Sequence, residues 1–166
     1  NGSLSAKRLQ LDFSGMVLEY LVLETGELRT AQIFVGALGA SNLTYVEATE
    51  SQALPCWLGA HVRMFDYFGG VTSATVPDNL KSGVNRANFY EPELNRAYLE
   101  FAEHYGTAIL PARADKPKDK AKVEKAVQDI QHWILAPLRD HVFHSVAEIN
   151  AAIKPLLEAC NAREQR

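Results

Sequence analysis

Residues 9–13 read Leu-Gln-Leu-Asp-Phe, an alternation of apolar and polar residues that predicts a half-buried β-strand with a carboxylate, Asp12, near its middle. A charge inside an apolar strand is costly unless it is paired or bound to a cation, and strand interiors disfavour Asp. Downstream, Met16–Leu23 is a second apolar run, closed by the turn Glu24-Thr25-Gly26-Glu27. Ala31–Leu38 is almost continuously apolar, as a central strand is, and Leu43–Thr49 alternates again. The first third of the chain is therefore a run of antiparallel strands.

The periodicity then changes. Ser51 can cap a helix that tolerates Pro55 in its first turn. Its apolar face is Leu54, Trp57, Leu58, His61, Val62, Phe65 and Phe68, and Gly69-Gly70 ends it. His61 on that stripe reads as a core histidine. Val71–Val76 is a β-branched strand, and Asp78 lies just past its C-terminal end, where α/β folds place binding groups. Pro92 opens a helix with the stripe Leu94, Tyr98, Phe101, Ala102 and Tyr105, closed by Gly106. Thr107–Leu110 is a short buried strand, and Pro117 starts a helix reaching about Leu138. Ser145-x-x-Glu148 is a capping box for a last helix, which Pro155 should kink. The order βββαβαβαα predicts an α/β fold with a mixed five-stranded sheet flanked by helices.

With 166 residues, 47% of them hydrophobic, the chain can bury a core without disulfides or a structural metal. Cys56 and Cys160 form no CxxC pair, which excludes a zinc ribbon and suits a reducing cytoplasm; both read as buried thiols. No apolar run reaches transmembrane length, so no membrane partner is expected. Asn1-Gly2-Ser3 reads as an expression remnant, leaving residues 4–166 as one domain. The net charge of −3 argues against a stand-alone DNA binder, although a nuclease core gathers acidic residues around metal. No GxxxxGK[ST] motif is present. His141 and His144 are spaced i, i+3 but lack partners, and no histidine is assigned to metal.

Three carboxylates stand out by position. Asp12 lies within a strand, Asp78 just past the end of one, and Glu124 sits roughly 90–100° from the centre of the helix face formed by Val123, Val127, Ile130 and Ile134, at its border. Each has a plainer reading alone: Asp78 as a turn residue, Glu124 as a solvated helix charge. The case rests on all three in this element order. Lys118, Lys122 and Lys125 share a helical face that is either solvated or set against phosphate. Lys81 and Arg86 follow Asp78 closely, and Lys116 and Lys120 lie in the only charge run, Arg113–Lys125.

Asp12 in LQLDFSG, Asp78 in VPDNLKSGV and Glu124 in KPKDKAKVE resemble the DDE triad of the retroviral-integrase superfamily, most closely that of IstA-type insertion-sequence transposases. The likeness extends to AQIFVGALGASNLTYVEAT, GAHVRMFDYFGG and AEHYGTAILPAR. It implies an RNase H-like fold in a fragment of a longer transposase, with Asp12, Asp78 and Glu124 as catalytic and metal-binding residues. It also implies two Mg²⁺ ions, with Mn²⁺ as a substitute, that serve 3′-end processing and strand transfer. Transposon-end and target DNA, a separate AAA+ ATPase helper and a homo-oligomer are the implied partners. Lys81, Arg86, Lys116, Lys118, Lys120, Lys122 and Lys125 are the candidate DNA contacts. One departure is plain: retroviral relatives carry lysines one and two turns after the triad Glu, where this chain has Gln128 and Gln131. Another RNase H-like nuclease, or a catalytically dead binding domain, remains an alternative reading.

Overall fold

The computed structural model describes residues 8–39, 41–77, 92–110 and 117–164, with side chains described for all of these except positions 12, 92–94, 117–120, 122, 123 and 164. Its centre is a five-stranded mixed sheet in the order β3-β2-β1-β4-β5. The strands are β1 (Arg8–Val22), β2 (Glu27–Leu38), β3 (Thr44–Thr49), β4 (Ala74–Pro77) and β5 (Ala108–Ile109). β1 pairs antiparallel with β2 and β2 with β3; β4 joins β1 in parallel and β5 joins β4 in parallel. The helices are α1 (Leu54–Phe68), α2 (Pro92–Tyr105), α3 (Pro117–Ile130) and α4 (Val146–Glu164).

The two apolar runs at Leu9–Phe13 and Met16–Leu23 are one long strand, not two. Between Phe13, which faces Phe34, and Val17, which faces Gln32, β1 carries extra residues that β2 does not match. Gly15 takes the left-handed conformation at φ 78°, which lets the bulge form without a Cβ penalty. Ser14 completes it: its Oγ donates to the Ile33 carbonyl (3.2 Å) and accepts the Met16 N–H (3.2 Å).

The two faces of β2 bury different helices because side chains alternate along a strand. Phe34 meets Trp57 and His61 of α1 at ring-centroid distances of 5.4 and 5.6 Å. A Cβ built on Gly36 would come within 2.3 Å of Met64 Sδ, so any larger residue here would have to displace the Met64 side chain that α1 lays against the strand. Ala37, on the opposite face, shares a small cavity of about 40 Å³ with Ala126 of α3. α2 joins α1 through the same aromatic cluster, with Tyr98 Oη 2.9 Å from His61 Nε2, and α4 packs against β3.

Several boundaries differ from the sequence reading. α1 begins after Ala53, and Ser51 is not its cap: the Ser51 Oγ accepts the Ala53 N–H (3.2 Å), outside the helix. β4 starts at Ala74 because Thr72 Oγ1 donates to the Ala74 carbonyl (3.1 Å), a local turn that competes with the ladder. β5 is only two residues long. Cys160 is buried, but Cys56 is only half-buried. Gly69 and Gly106 end α1 and α2 with φ of 78° and 79°, as expected of left-handed caps. Ser145 Oγ accepts the Glu148 N–H (3.1 Å), the expected cap, while the Glu148 carboxylate reaches one residue further back to the His144 N–H.

α3 continues into a π-helical turn, Gln131–Leu135, and a last turn at Ala136–Leu138. Pro137 accounts for the wide turn. In an α-helix its ring would clash with the carbonyl four residues back. Here the Ala136 N–H bonds instead to the Gln131 carbonyl, five residues back, and the ladder passes the proline. The extra residue keeps Ile130, Ile134, Leu135 and Leu138 all in the core.

Candidate active site

Asp12 stands in the β1–β2 ladder opposite Val35. It follows Leu11, whose partner across the parallel β1–β4 pair is Pro77, the last residue of β4. Asp78 follows Pro77 in the chain and lies outside the described residues, as do Lys81, Arg86 and Lys116. The side chain of Asp12 is likewise outside the description.

Glu124 lies on α3, which packs against β1 and β2. The helix is seated by Ala126 and Ile130, 6% and 0% exposed. Glu124 itself is exposed, beside exposed Lys125 and Gln128, so the acid sits on the solvent side of the buried stripe, consistent with the border position read from the sequence. Its hydration suits a hard-cation ligand, because an exposed carboxylate keeps both oxygens available and gives up no buried partner on binding. The donor chemistry therefore fits Mg²⁺: a carboxylate on the helix lying over the strand that carries another. Lys118, Lys120 and Lys122 are residues of this same helix. Lys125 lines the small cavity with Leu38, Asn42, Thr44 and Asp129. Among the described residues no group of three His, Cys, Asp or Glu side chains converges as a metal cluster, a set that leaves out Asp12 and Asp78.

The other titratable groups are structural. His61 is fully buried; its Nδ1–H donates to the Trp57 carbonyl (2.7 Å), so its Nε2 accepts from Tyr98 Oη. Burial pushes its pKa down to about 4, against a smaller upward pull from the Trp57 carbonyl. The sequence reading missed the buried carboxylate of Glu47. Arg63 holds it with Nε at 2.9 Å from Oε1 and a terminal nitrogen at 2.9 Å from Oε2, while Tyr45 Oη donates to it at 2.8 Å. It also missed Asn150 and Asn161 of α4, whose amides bond the backbone of β3 more than a hundred residues away. No local pattern could reveal those contacts, since each partner is chosen only by the tertiary fold. His144 is committed to backbone, its Nδ1 donating to the Leu21 carbonyl (3.3 Å). Among the described residues no helix is long and apolar enough to cross a membrane.

The fold and the acidic positions can be set beside known proteins. No protein-family model matches the chain. A protein of Sinorhizobium fredii named as a transposase is 49% identical over 158 residues, covering 95% of this chain and 31% of that protein. Another, named for the insertion sequence IS1162 of Pseudomonas fluorescens, is 46% identical over 159 residues, 96% of this chain and 28% of its own length. The chain thus spans under a third of these relatives. Among solved structures, the catalytic core domain of BIV integrase superposes with a TM-score of 0.60 at 12% identity, over 92% of this chain and 81% of that one. The HTLV-2 integrase catalytic core in complex with magnesium gives 0.59 at 16% identity, over 93% and 84%. Over nearly its whole length, then, the chain is a relative of the insertion-sequence transposases, built on the RNase H-like fold of a retroviral integrase catalytic core.

Proposed function

We propose that this chain is the DNA-cutting and DNA-joining core of an insertion-sequence transposase, with Asp12, Asp78 and Glu124 as its metal-binding carboxylates. The observation that carries the reading is the register of β1 on β4. Successive residues advance together along a parallel pair. Asp12 and Asp78 are each the next residue after the Leu11–Pro77 pair, and Glu124 rides on the helix packed over β1. An acid within β1, a second that directly follows β4 in the chain and a third on a covering helix are the donor set a pair of hard cations requires. The magnesium in the HTLV-2 integrase core supports the same choice of metal.

Two Mg²⁺ ions, replaceable by Mn²⁺, would supply charge neutralisation at the scissile phosphate and lower the cost of deprotonating water or a DNA 3′-OH. The chain's own residues do the rest. Asp12, Asp78 and Glu124 would hold these ions through their carboxylate oxygens. The lysines of α3, Lys118, Lys120, Lys122 and Lys125, with Lys81, Arg86 and Lys116, bind DNA phosphates and carry no sequence information. The chain's net charge of −3 makes that binding weak in isolation and steeply salt-dependent. The longer protein, working in the bacterial cytoplasm as a homo-oligomer with an AAA+ ATPase helper, supplies the remaining DNA affinity.

The test is Asp12→Asn in the full-length transposase. Strand transfer of transposon-end DNA should fall roughly a thousandfold or more, because the variant keeps the shape but loses a shared anionic ligand. Melting of the metal-free variant should match or exceed wild type, since one of several mutually repelling carboxylates is gone. Mn²⁺ should raise the melting temperature of wild type more than that of the variant. Normal strand transfer by Asp12→Asn would sink the assignment.

A further inference from the structure

Strand edges are templates for adding further chain, and proteins usually cover or blunt them. Two edges here are covered with specific groups. Along β3, Asn150 accepts the Ala48 N–H (2.7 Å) and donates to the Ala48 carbonyl (2.9 Å). Asn161 does the same at Thr44, at 2.9 and 2.9 Å. Along the second half of β1, the Leu21 N–H donates to the Phe143 carbonyl (2.8 Å) and the Leu21 carbonyl accepts from His144 Nδ1 (3.3 Å).

A third edge is open among the described residues. β3 pairs with β2 only from Gln32 onward, so Glu27–Ala31 has β1 on one side alone. The phase of the ladder shows which groups face outward. Leu21 and Leu28 are opposite each other. Both backbone groups of Leu21 are used on the side away from β2, so this is a non-hydrogen-bonded pair, and the N–H and C=O of Leu28 also point away from β1. Thr30, two residues on, has the same orientation. Among the described residues nothing bonds either backbone. The side chain of Leu28 is 61% exposed.

We infer that this edge pairs with the same edge of a second copy of the chain, antiparallel, about a two-fold axis at Leu28. That register places Leu28 opposite the mate's Leu28, each donating its N–H to the other's carbonyl. It also places Glu27 opposite the mate's Arg29, and Arg29 opposite the mate's Glu27. Both side chains are half exposed in one protomer, where they already bond to each other at 3.1 Å, so the dimer closes a four-membered ring of alternating charge. The competing register, centred on Arg29, would set two guanidinium groups directly opposite each other, which is unfavourable. The charge order Glu-Leu-Arg therefore selects both the partner and the register: an identical edge satisfies it twice. The pairing is isologous and closed, so it stops at a dimer. It involves neither α3 nor Asp12, Asp78 and Glu124, and stands independently of the proposed chemistry.

The experiment is sedimentation equilibrium of the 166-residue chain in reducing buffer, from micromolar to about 1 mM. Wild type should show a reversible monomer–dimer equilibrium. E27K and R29E should each weaken it by roughly tenfold or more, because each places like charges opposite each other at two symmetric positions. The double variant E27K/R29E should restore it, and an equimolar mixture of the two single variants should form a heterodimer tighter than either homodimer. Unchanged melting temperatures would show that the folds are intact. A chain that stays monomeric throughout, or a dimer indifferent to both charge reversals, overturns the inference; the edge would then serve some other extended segment or none.

Discussion

Phe34 and Leu28 lie on the same side of β2, six residues and about 20 Å apart, and they have opposite fates. Phe34 is wholly buried among Phe13, Trp57, His61 and Tyr45. Leu28 is mostly in water. Both pair with β1, on opposite sides of its bulge, but only Phe34 also has a partner in β3, Glu47. The layer above differs as well. α1 crosses the sheet at Phe34, and Gly36 lets it sit close; Leu28 only borders an open cleft that it shares with Leu138 and Val142. Pairing makes a strand, but only a second layer turns an apolar side chain into stability. Phe34→Ala should therefore cost about 3–5 kcal/mol in urea unfolding, while Leu28→Ala should cost less than about 0.5 kcal/mol in dilute solution. A Leu28 cost that grows with protein concentration would mean that its edge is covered by a second copy.

The buried half should also respond to acid, because its aromatic cluster contains His61. In the fold His61 has a pKa of about 4, lowered by burial, against an ordinary value of 6.5. The unfolded chain thus binds a proton that the folded one refuses between those two values. Stability is complete above pH 6.5 and declines as pH falls toward 4, by about 3 kcal/mol over that window. Urea unfolding at pH 7 and pH 4.5 reads the loss. His61→Phe should flatten that slope, at the cost of leaving Tyr98 Oη without its acceptor. A wild-type slope that survives His61→Phe would place the titration elsewhere.

These contrasts also explain how far the sequence could be read. Helix ends were legible where chemistry is local: Gly69 and Gly106 at positive φ, and Ser145 with Glu148 at the start of α4. The element order was legible because hydrophobic period separates strand from helix. The continuity of β1 was not, since Ser14-Gly15 looks like a turn and only the partner strand reveals a bulge. Glu47 passed for the polar half of an alternating strand, because its compensation comes from Arg63 on another element. The capping of β3 by Asn150 and Asn161 was hidden for the same reason. Of the site, the strand bearing Asp12 and the exposed border position of Glu124 on its helix were readable from period alone. Where their carboxylates meet is a tertiary matter that no periodicity encodes.

A smaller effect than those at Phe34 and His61 should come from the boundary between the two halves. Gly15 sits at φ 78°, and a Cβ added there would meet nothing within 4 Å. Replacing it therefore tests conformation without packing. Gly15→Ala forces an L side chain into the left-handed region, at a cost of about 1–2 kcal/mol. Gly15→Asn should cost less, because Asn tolerates that region better than other side chains. The bulge cannot relax cheaply into a regular strand. Removing its two extra residues from the ladder would slide either Phe13 from Phe34 or Val17 from Gln32 by two residues, which keeps each side chain on its face but exchanges every cross-strand partner on that side. The loss of core packing in the first half far exceeds the strain at one residue, so the variant should keep the bulge and bear the strain. Hydrogen exchange can check this. Amides of β1 from Leu9 to Phe13 should lose protection only in proportion to the global loss, while those of the hairpin from Val17 to Val22 should open further. Equal loosening of both halves would show that the bulge is not the joint between them.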